Sequence, residues 1–416
     1  MNTPSETGVP ARRAALQLLD AVLRRGQPLE RALNAATKAL DNPADRALAH
    51  AIASEVLRRT PDLDDLIDSA TRQRLPDDAK ARMVLRMALA QALVLNTPPH
   101  AAISTALPLV EGGPKRLVHG VFGSLIRSGV KLRSAPMLLP GVEKRWGEAW
   151  GSTMLGHAID ALMQQPPIDL TLKDANQTAH WAEALGGESL APGHVRIARD
   201  RPIPTLPGFD EGAWWVQNIA ASVAARLLGP GNGRAALDLC AAPGGKTMQL
   251  AAQGWDVTAL ERDAARLVRV TENLTRTGLN AKLVEADALR WKTDQRFDAV
   301  LLDAPCSATG IFANHPDVLH RVRPKDITAM ADVQMRMFEA AANWLTDDGV
   351  MVYATCSLEP EEGEQVAARC ESVGLKFDPV VPQELVAGLK PTPKGWVRIL
   401  PRVGMDGFFV ARFKRG

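Results

Sequence analysis

The sequence changes character at Ala235-Ala-Leu-Asp-Leu-Cys-Ala-Ala-Pro-Gly-Gly-Lys-Thr247, a short apolar segment followed by a glycine-bearing turn. The apolar segment, Ala235–Leu239, is typical of a buried strand, and a helical pattern begins at Lys246. Gly244 and Gly245 let the backbone approach a ligand where a side chain would clash. The stretch therefore predicts a strand, a ligand-binding turn and a helix.

Downstream of this turn, apolar segments alternate with amphipathic ones. Such repeated strand–helix units predict a parallel sheet with helices on both faces and ligands at the carboxyl ends of the strands. The predicted strands cover 235–239, 256–260, 281–284, 297–302, 350–354, 397–400 and 407–413. The predicted helices cover 246–252, 264–277, 326–345 and 361–372.

Upstream of the turn, the chain divides into two further parts. Residues 10–135 show apolar residues at helical spacing throughout, which predicts an all-helical domain. Residues 136–230 are interrupted by prolines and predict a small irregular α+β subdomain. We therefore expect three parts, 1–135, 136–230 and 231–416, in keeping with a length of 416 residues.

Composition and charge narrow the class of protein. The hydrophobic content of 46% and charged content of 23% are those of a globular protein. We expect no membrane span and no signal peptide, and hence a cytoplasmic location. The net charge is +2, but residues 1–140 carry 19 Lys and Arg against 13 Asp and Glu, which favours a polyanionic partner for this part. The four cysteines, at 240, 306, 356 and 370, lack the paired short spacings of a metal site, so no metal is expected.

The turn after the first strand indicates which cofactor is excluded. Cys240–Lys246 has neither the three spaced glycines of a dinucleotide site nor the sequence of a phosphate-binding P-loop, which disfavours NAD and ATP. Glu261 ends the second predicted strand, where a carboxylate can accept hydrogen bonds from ribose hydroxyls. Asp287 ends the third, near where an adenine amine would lie. Either acid taken alone could instead be a helix cap or a solvated strand end.

Two cysteines lie in unusual contexts at the ends of later strands. Cys306 lies in Asp303-Ala-Pro-Cys-Ser-Ala-Thr-Gly310, and Cys356 lies in Tyr353-Ala-Thr-Cys-Ser-Leu358. A nucleotide-like cofactor turn followed by two strand-end thiols indicates covalent chemistry on an electrophile beside the cofactor. This combination resembles the RNA cytosine-5 methyltransferases. The alternative is that both cysteines only pack in the core, as we expect for Cys370.

The resemblance implies S-adenosyl-L-methionine (SAM) as cofactor and an α/β class I (Rossmann-like) methyltransferase domain. It also implies roles for the two cysteines: Cys356 adds to carbon-6 of cytosine as the nucleophile, and Cys306 serves release of the product. Asp303 recognises the base. Lys246 either orients Asp303 or the cofactor, or faces solvent. The implied cofactor-binding residues are Cys240, Ala241, Ala242, Pro243, Gly244, Gly245, Lys246, Glu261, Asp287 and Asp303.

The helical front resembles the NusB-like RNA-binding domain. The residues that carry this resemblance are Asp45-Arg46-Ala47, Pro99-His100-Ala101-Ala102, and Lys115 with Val118-His-Gly-Val-Phe122. A NusB-like domain joined to this catalytic domain is the arrangement of the RsmB (Sun/Fmu) type. The resemblance thus implies formation of 5-methylcytidine in small-subunit (16S) ribosomal RNA through a covalent cysteine–cytosine adduct. His315-Pro-Asp317 resembles the substrate-side loop of the family, although Ala313 and Asn314 stand where the family usually has arginines.

Two alternatives stay open at this stage. The same chemistry could act on tRNA, because the catalytic motifs do not separate the two substrates. A protein of another class, an RNA-binding assembly or antitermination factor with a dispensable methyltransferase body, is the second alternative. Intact Asp303, Cys306 and Cys356 disfavour it. We expect a monomer that binds ribosomal RNA.

Overall fold

The computed structural model describes residues 8–386 and 388–415. Its helices account for most of the first 163 residues and flank the strands of the later part. They are α1 Val9–Leu23, α2 Leu29–Thr37, α3 Pro43–Arg58, α4 Thr60–Ser69, α5 Lys80–Leu93, α6 Pro99–Ala106, α7 Gly112–Arg127, α8 Pro140–Met163, α9 Thr178–Leu185, α10 Ile219–Arg226, α11 Gly245–Ala252, α12 Ala264–Thr277, α13 Val318–Arg321, α14 Pro324–Ala342 and α15 Glu364–Ala367. Helix α8 is interrupted at Gly151, whose φ of 78° and ψ of 175° are not helical.

The strands form two separate sheets. They are β1 Ile168–Leu172, β2 His194–Ile197, β3 Trp214–Val216, β4 Ala235–Leu239, β5 Asp256–Glu261, β6 Lys282–Glu285, β7 Phe297–Asp303, β8 Leu345–Thr355, β9 Leu375–Phe377, β10 Val397–Ile399 and β11 Phe408–Arg415. The first three make a small antiparallel sheet in the order β2-β1-β3. The other eight make the large sheet that carries the candidate site.

The chain separates into two compact units. The first comprises the described residues up to Glu148 together with Phe312–Val322. Its core is built from apolar side chains at helical spacing on α1, α3, α5 and α7, as the periodicity predicts. Asn42 caps α3, because its side-chain oxygen accepts a hydrogen bond from the backbone N–H of Ala44 at 2.9 Å. The front of the chain is thus all-helical, as expected.

The second unit comprises the described residues of 149–311 and 323–415. Its large sheet has the order β10-β11-β8-β7-β4-β5-β6, and β9 pairs with β11. Strands β8, β7, β4, β5 and β6 are parallel, so their carboxyl ends share one edge of the sheet. Apolar side chains pack on both faces of β4, β5, β7 and β8, which explains their hydrophobic runs, whereas the edge strand β6 is only partly buried. The α/β class predicted for this part is confirmed.

Three sequence-based details differ from the structure. The sheet is mixed rather than purely parallel, because β10 and β11 form a hairpin and β11 pairs antiparallel with β8. The predicted helix 361–372 is mostly turn, with α15 restricted to Glu364–Ala367 and a 3₁₀ helix at Cys370–Val373. The predicted helix over 326–345 ends at Ala342, and the strand predicted over 350–354 begins earlier, at Leu345. The division at residues 135 and 230 stays a prediction.

None of the helices within 8–386 and 388–415 is both long and apolar enough to cross a membrane.

Candidate active site

The turn after β4 is shaped by unusual backbone conformations. Cys240 has a φ of 63°, Gly244 has a φ of 103°, and the Ala242–Pro243 peptide bond is cis. A Cβ atom on Gly244 would lie 3.2 Å from Val270 Cγ1, so this position has neither the conformation nor the room for a side chain. The first N–H groups of α11, which follows directly, have no acceptor within the helix. The turn therefore presents backbone donors at the carboxyl edge of the sheet, where an anionic group can bind.

Asp238 lies beneath this turn and was not singled out from the sequence. Its side chain is fully buried, and Oδ2 accepts a hydrogen bond from Thr247 Oγ1 at 2.5 Å. Oδ1 has no hydrogen-bond partner among the described residues. Burial raises the pKa of Asp238 to about 7. The sequence did contain a signal for Asp238, because it is the single charged residue of the predicted buried strand Ala235–Leu239.

Three predicted acids lie along the same edge of the sheet. Glu261 ends β5 and is buried; its Oε1 accepts from the N–H of Asp263 at 3.1 Å, and its Oε2 lies 3.3 Å from Arg266 Nη1. Asp287 follows β6, is exposed, and accepts from the N–H of Leu289 at 2.9 Å. Asp303 ends β7. The structure thus places all three where a ligand over the strand ends can meet them.

Lys246 does not face solvent. Its Nζ lies 2.7 Å from Asp303 Oδ2, and its side chain is only 11% exposed. Burial acts to lower the pKa of Lys246, but the neighbouring Asp303 outweighs burial, and the pKa is raised. Cys356 adds to this increase, so the lysine and that thiol lie within electrostatic reach of each other. Of the two roles considered for Lys246, contact with Asp303 is the one observed.

The two cysteines that lie 50 positions apart meet in space. Cys306 follows β7 and Cys356 follows β8; since these strands are parallel neighbours, both thiols come to the same edge. The two Sγ atoms are 3.4 Å apart. Contact with Cys356 and burial raise the pKa of Cys306 well above its ordinary value. The two thiols are therefore close enough for one to donate a hydrogen bond to the other.

The remaining cysteines behave differently. Cys240 is held within the cofactor-side turn, where burial raises its pKa. Cys370 is buried in the core beside the sheet, as predicted. All four thiols are free.

A buried glutamate behind the two thiols was missed by sequence reasoning. Glu362 lies in the turn that replaces the predicted helix, and its carboxyl group binds Ser307 and Ser357, the residues that follow the two cysteines. Burial raises the pKa of Glu362. A sequence scan did not reveal it, because Glu362 stands among acidic residues typical of a solvated helix.

The backbone beside Cys356 is also bound from another side. Arg398, on β10, donates to the carbonyl oxygen of Ser357 at 2.6 Å and pairs with Glu364. The indole N–H of Trp150 donates to the carbonyl oxygen of Leu358 at 2.8 Å. The guanidinium of Arg398 also lies over the Trp150 ring, 4.9 Å from its centroid. The loop that follows Cys356 is therefore bound by side chains from two other parts of the chain.

The segment around His315 belongs to the helical unit. Asp317 is buried, and its Oδ2 accepts from the N–H of Leu29 at 3.3 Å and from Arg321 Nε at 2.9 Å. Arg58 donates to the carbonyl oxygen of Ala313 at 2.9 Å. Burial lowers the pKa of His315. Asp317 therefore has a packing role within the unit to which it belongs.

Comparison with known proteins agrees with this arrangement. The family model described as 16S rRNA methyltransferase RsmB/F matches residues 225–414, and the NusB family model matches residues 9–120. A protein named ribosomal RNA small subunit methyltransferase B from Xylella fastidiosa is 36% identical over 96% of this chain and 98% of its own length. A protein of the same name from Klebsiella pneumoniae is 33% identical over 86% of this chain and 88% of its own.

Solved structures agree on the fold. The crystal structure of PH0851 covers 99% of both chains with a TM-score of 0.75 at 23% identity. A methyltransferase homolog protein from Pyrococcus horikoshii covers 71% of this chain and 98% of its own with a TM-score of 0.56 at 26% identity.

The fold, the sheet-edge residues and these matches define a Rossmann-like methyltransferase domain preceded by a NusB-like helical domain. The chain belongs to the RsmB/F family of 16S rRNA methyltransferases, with relatives named ribosomal RNA small subunit methyltransferase B. The resemblance drawn from the two cysteine motifs and the helical front is thereby confirmed at the level of the family.

Proposed function

We propose that this protein transfers the methyl group of SAM to carbon-5 of a cytidine in small-subunit ribosomal RNA through a covalent adduct with Cys356. The observation that carries the proposal is the 3.4 Å separation of the Cys306 and Cys356 sulfur atoms at the cofactor edge of the sheet. Membership in a family described by 16S rRNA methylation supports the substrate class. The relatives named for the small ribosomal subunit support rRNA over tRNA.

The cofactor is SAM, and the residues at the edge fit it. The N–H groups of Gly245 and Lys246, at the start of α11, suit its carboxylate, and the buried Glu261 suits its ribose hydroxyls. We assign the adenine amine to Asp287, which follows β6 at the same edge of the sheet. The unpaired Oδ1 of Asp238, fully buried beneath the turn, supports a ligand there. When bound, SAM supplies an electrophilic methyl group.

The chemistry begins with activation of the cytosine ring. The Cys356 thiolate adds to carbon-6, which makes carbon-5 nucleophilic enough to take the methyl group. The Cys306 Sγ lies 3.4 Å from the Cys356 Sγ, so the Cys306 thiol can donate a hydrogen bond to the attacking sulfur. Asp303 binds the base and donates to ring nitrogen-3, and Lys246, at 2.7 Å, can supply that proton. The cytidine must be unpaired or flipped, since carbon-6 is not accessible within a stacked helix.

Release of the product requires the second thiol. The carbon-5–hydrogen bond breaks, its electrons restore the double bond between carbon-5 and carbon-6, and the Cys356 thiolate leaves. Once Cys356 is bonded to carbon-6, its charge no longer raises the pKa of Cys306. Cys306 then gives its proton to solvent and takes the carbon-5 proton as a base, directly or through one water molecule. Loss of Cys306 should therefore leave the RNA attached to Cys356.

The test compares cells that lack this gene and carry either the wild-type protein or the Cys356→Ala variant. Nucleoside mass spectrometry of 16S rRNA and of tRNA, with mapping of 5-methylcytidine, is the readout. The expected result is one wild-type-dependent 5-methylcytidine in 16S rRNA that is absent with Cys356→Ala. Its appearance in tRNA would favour the tRNA alternative. Normal RNA binding with no methyl transfer to any transcript would favour the assembly-factor alternative.

The remaining expectations belong to the same proposal. The protein acts on ribosomal RNA in the cytoplasm, needs no metal and works as a monomer. Mass measurement of the purified protein under native conditions, before and after treatment with a chelator, tests the last two points.

A further inference from the structure

The Glu362 side chain hydrogen-bonds to both loops that carry the cysteines. Its side chain is fully buried in the second unit. Oε1 accepts from the backbone N–H of Ser307 at 2.9 Å and from Gln334 Nε2 at 3.2 Å. Oε2 binds the hydroxyl groups of both Ser307 and Ser357. One carboxyl group thus contacts the residue that follows each cysteine.

The residues around this carboxyl group are bound to the same two loops. Gln334 donates from Nε2 to the carbonyl oxygen of Pro305, just before Cys306, at 2.8 Å. The Tyr353 hydroxyl donates to the backbone carbonyl oxygen of Glu362 at 2.5 Å, which fixes the turn that carries the carboxyl group. Because Glu362, Gln334, Ser307 and Ser357 are buried, loss of one partner leaves a buried polar atom without a hydrogen bond, which is destabilising.

We propose that Glu362 is a positioning residue that holds Cys306 beside Cys356 for the release step, an inference that rests on the proposed function. The hydrogen bonds of the Glu362 carboxyl group go to Ser307, Ser357 and Gln334 rather than to a sulfur atom, so it acts through the residues that follow the thiols. Attack on carbon-6 needs only Cys356, whereas release needs Cys306 within reach of the methylated carbon. Separation of the two loops should therefore affect release more than attack.

Removal of the carboxyl group should produce a characteristic change in the products. In Glu362→Ala, Ser307 and Ser357 lose their common partner, and the distance between the two loops is no longer fixed. We expect kcat to fall by about 100-fold, as is typical for a misplacement of about 1 Å in an active site. We also expect the ratio of protein-bound RNA to released 5-methylcytidine to rise. Glu362→Gln retains one acceptor and two donors in the same shape, so it should restore most of both values.

The experiment measures this ratio in a single turnover, with SAM and a 16S rRNA fragment, after denaturation of the protein. Glu361→Ala is the matched control, since it removes the neighbouring, partly exposed carboxyl group from the same turn. SAM affinity and the unfolding midpoint are recorded for every variant. A purely structural role would lower the folded fraction but leave the ratio of bound to released RNA unchanged. That result in folded Glu362→Ala overturns the proposal, as does failure of Glu362→Gln to restore activity.

Two further arms keep the test decisive. If Glu362→Ala does not fold, the Ser307→Ala/Ser357→Ala double variant removes both hydroxyl contacts and keeps the carboxyl group; it should raise the same ratio, and an unchanged ratio overturns the inference. Wild type and Cys306→Ala are assayed in parallel. If the wild type forms no 5-methylcytidine and Cys306→Ala holds no RNA, then the proposed function itself has failed. If both behave as expected, the proposed function holds, and the result for the Glu362 variants tests only the positioning role.

Discussion

At the scale of single residues, the site combines buried charges that have few partners. Asp238 has one hydrogen-bond donor for two carboxyl oxygens, and Lys246 depends on Asp303 to remain charged where burial disfavours it. Such groups are costly in a folded core and are common where a ligand completes the site. Both residues therefore give predictions that can be measured on the free protein.

Asp238 should make the stability depend on pH. The unfolded carboxyl group loses its proton near pH 4, whereas the pKa of folded Asp238 is raised to about 7. Between these values the folded state binds more protons, so the free energy of unfolding falls as the pH rises from 4 to 7. The contribution is roughly 4 kcal/mol as an upper bound, from about 1.4 kcal/mol for each pKa unit. In Asp238→Asn this loss should disappear.

Urea unfolding between pH 4 and pH 8 measures this effect. Asp256→Asn, which changes an exposed aspartate on β5, is the control and should follow the wild-type curve. Identical pH dependence in the wild type and Asp238→Asn would mean that Asp238 does not titrate in this range.

Lys246 should matter for the rate more than for the fold. In Lys246→Met, Asp303 loses the group that lies 2.7 Å away, and the proton for the base is no longer supplied. We expect the single-turnover rate of methyl transfer to fall about 100-fold, the lower end of what a positioned proton donor contributes. SAM affinity, measured by calorimetry, should change far less. Lys282→Met, at an exposed lysine on β6, is the control; an undiminished rate in Lys246→Met would exclude this role.

At the scale of elements, the site depends on how closely two loops approach. Gly310 lies at the end of the Cys306 loop, and its N–H donates to the carbonyl oxygen of Cys356 at 2.9 Å. In return, its carbonyl oxygen accepts from the N–H of Gly407 at 2.8 Å. A Cβ atom on Gly310 would stand 2.1 Å from Gly407 O and 2.9 Å from Cys356 O. These neighbours are backbone atoms, so they cannot move aside as a flexible side chain would.

Gly310→Ala should therefore destabilise the protein and slow methyl transfer together. Overpacking of this kind costs about 1–3 kcal/mol of unfolding free energy. Gly120→Ala is the opposite case, because Gly120 lies inside α7 with open space around its Cα. There alanine should stabilise the protein by about 1 kcal/mol through its higher helix propensity. Urea unfolding and a methyl transfer assay of both variants test this; equal effects would contradict the assigned packing.

The same elements show how far the sequence could be interpreted. Apolar periodicity predicted β4, β5, β7 and the helices between them, because these segments are buried continuously or on one face. The cysteine motifs predicted a common edge, since parallel neighbours end together. The predicted helix over 361–372 was wrong because the Glu362 carboxyl group turns inwards to Ser357, five residues earlier, and to Ser307, 55 residues earlier. Tertiary contacts of that kind leave no periodic signal in a single chain.

At the scale of the whole molecule, charge is distributed unequally along the sequence. Residues 1–140 have an excess of basic residues, and the later part has more acidic than basic ones. Lys115 and Arg116, on α7, are both exposed, and neither forms an ion pair with another of the described residues. An exposed basic pair of this kind can bind RNA phosphates, and such contacts release counterions.

Lys115→Ala/Arg116→Ala should weaken RNA binding and flatten its salt dependence. Loss of two phosphate contacts reduces the slope of log K against log salt by about 1.4–1.8. SAM affinity should be unchanged, because the cofactor turn lies in the other unit. Lys38→Ala, an exposed lysine after α2, is the control for a general loss of charge. Filter binding of a 16S rRNA fragment at several salt concentrations is the measurement. An unaltered slope of log K against log salt would mean that the RNA does not contact Lys115 and Arg116.

The central claim is that Cys356 bonds to the substrate and Cys306 ends that bond. The most direct measurement is mass spectrometry of Cys306→Ala after reaction with SAM and 16S rRNA, followed by nuclease and protease digestion. We expect a peptide that contains Cys356 and carries the mass of a 5-methylcytidine nucleotide, absent from the Cys306→Ala/Cys356→Ala double variant. A modified residue other than Cys356, or active protein that never forms an adduct, would contradict the account.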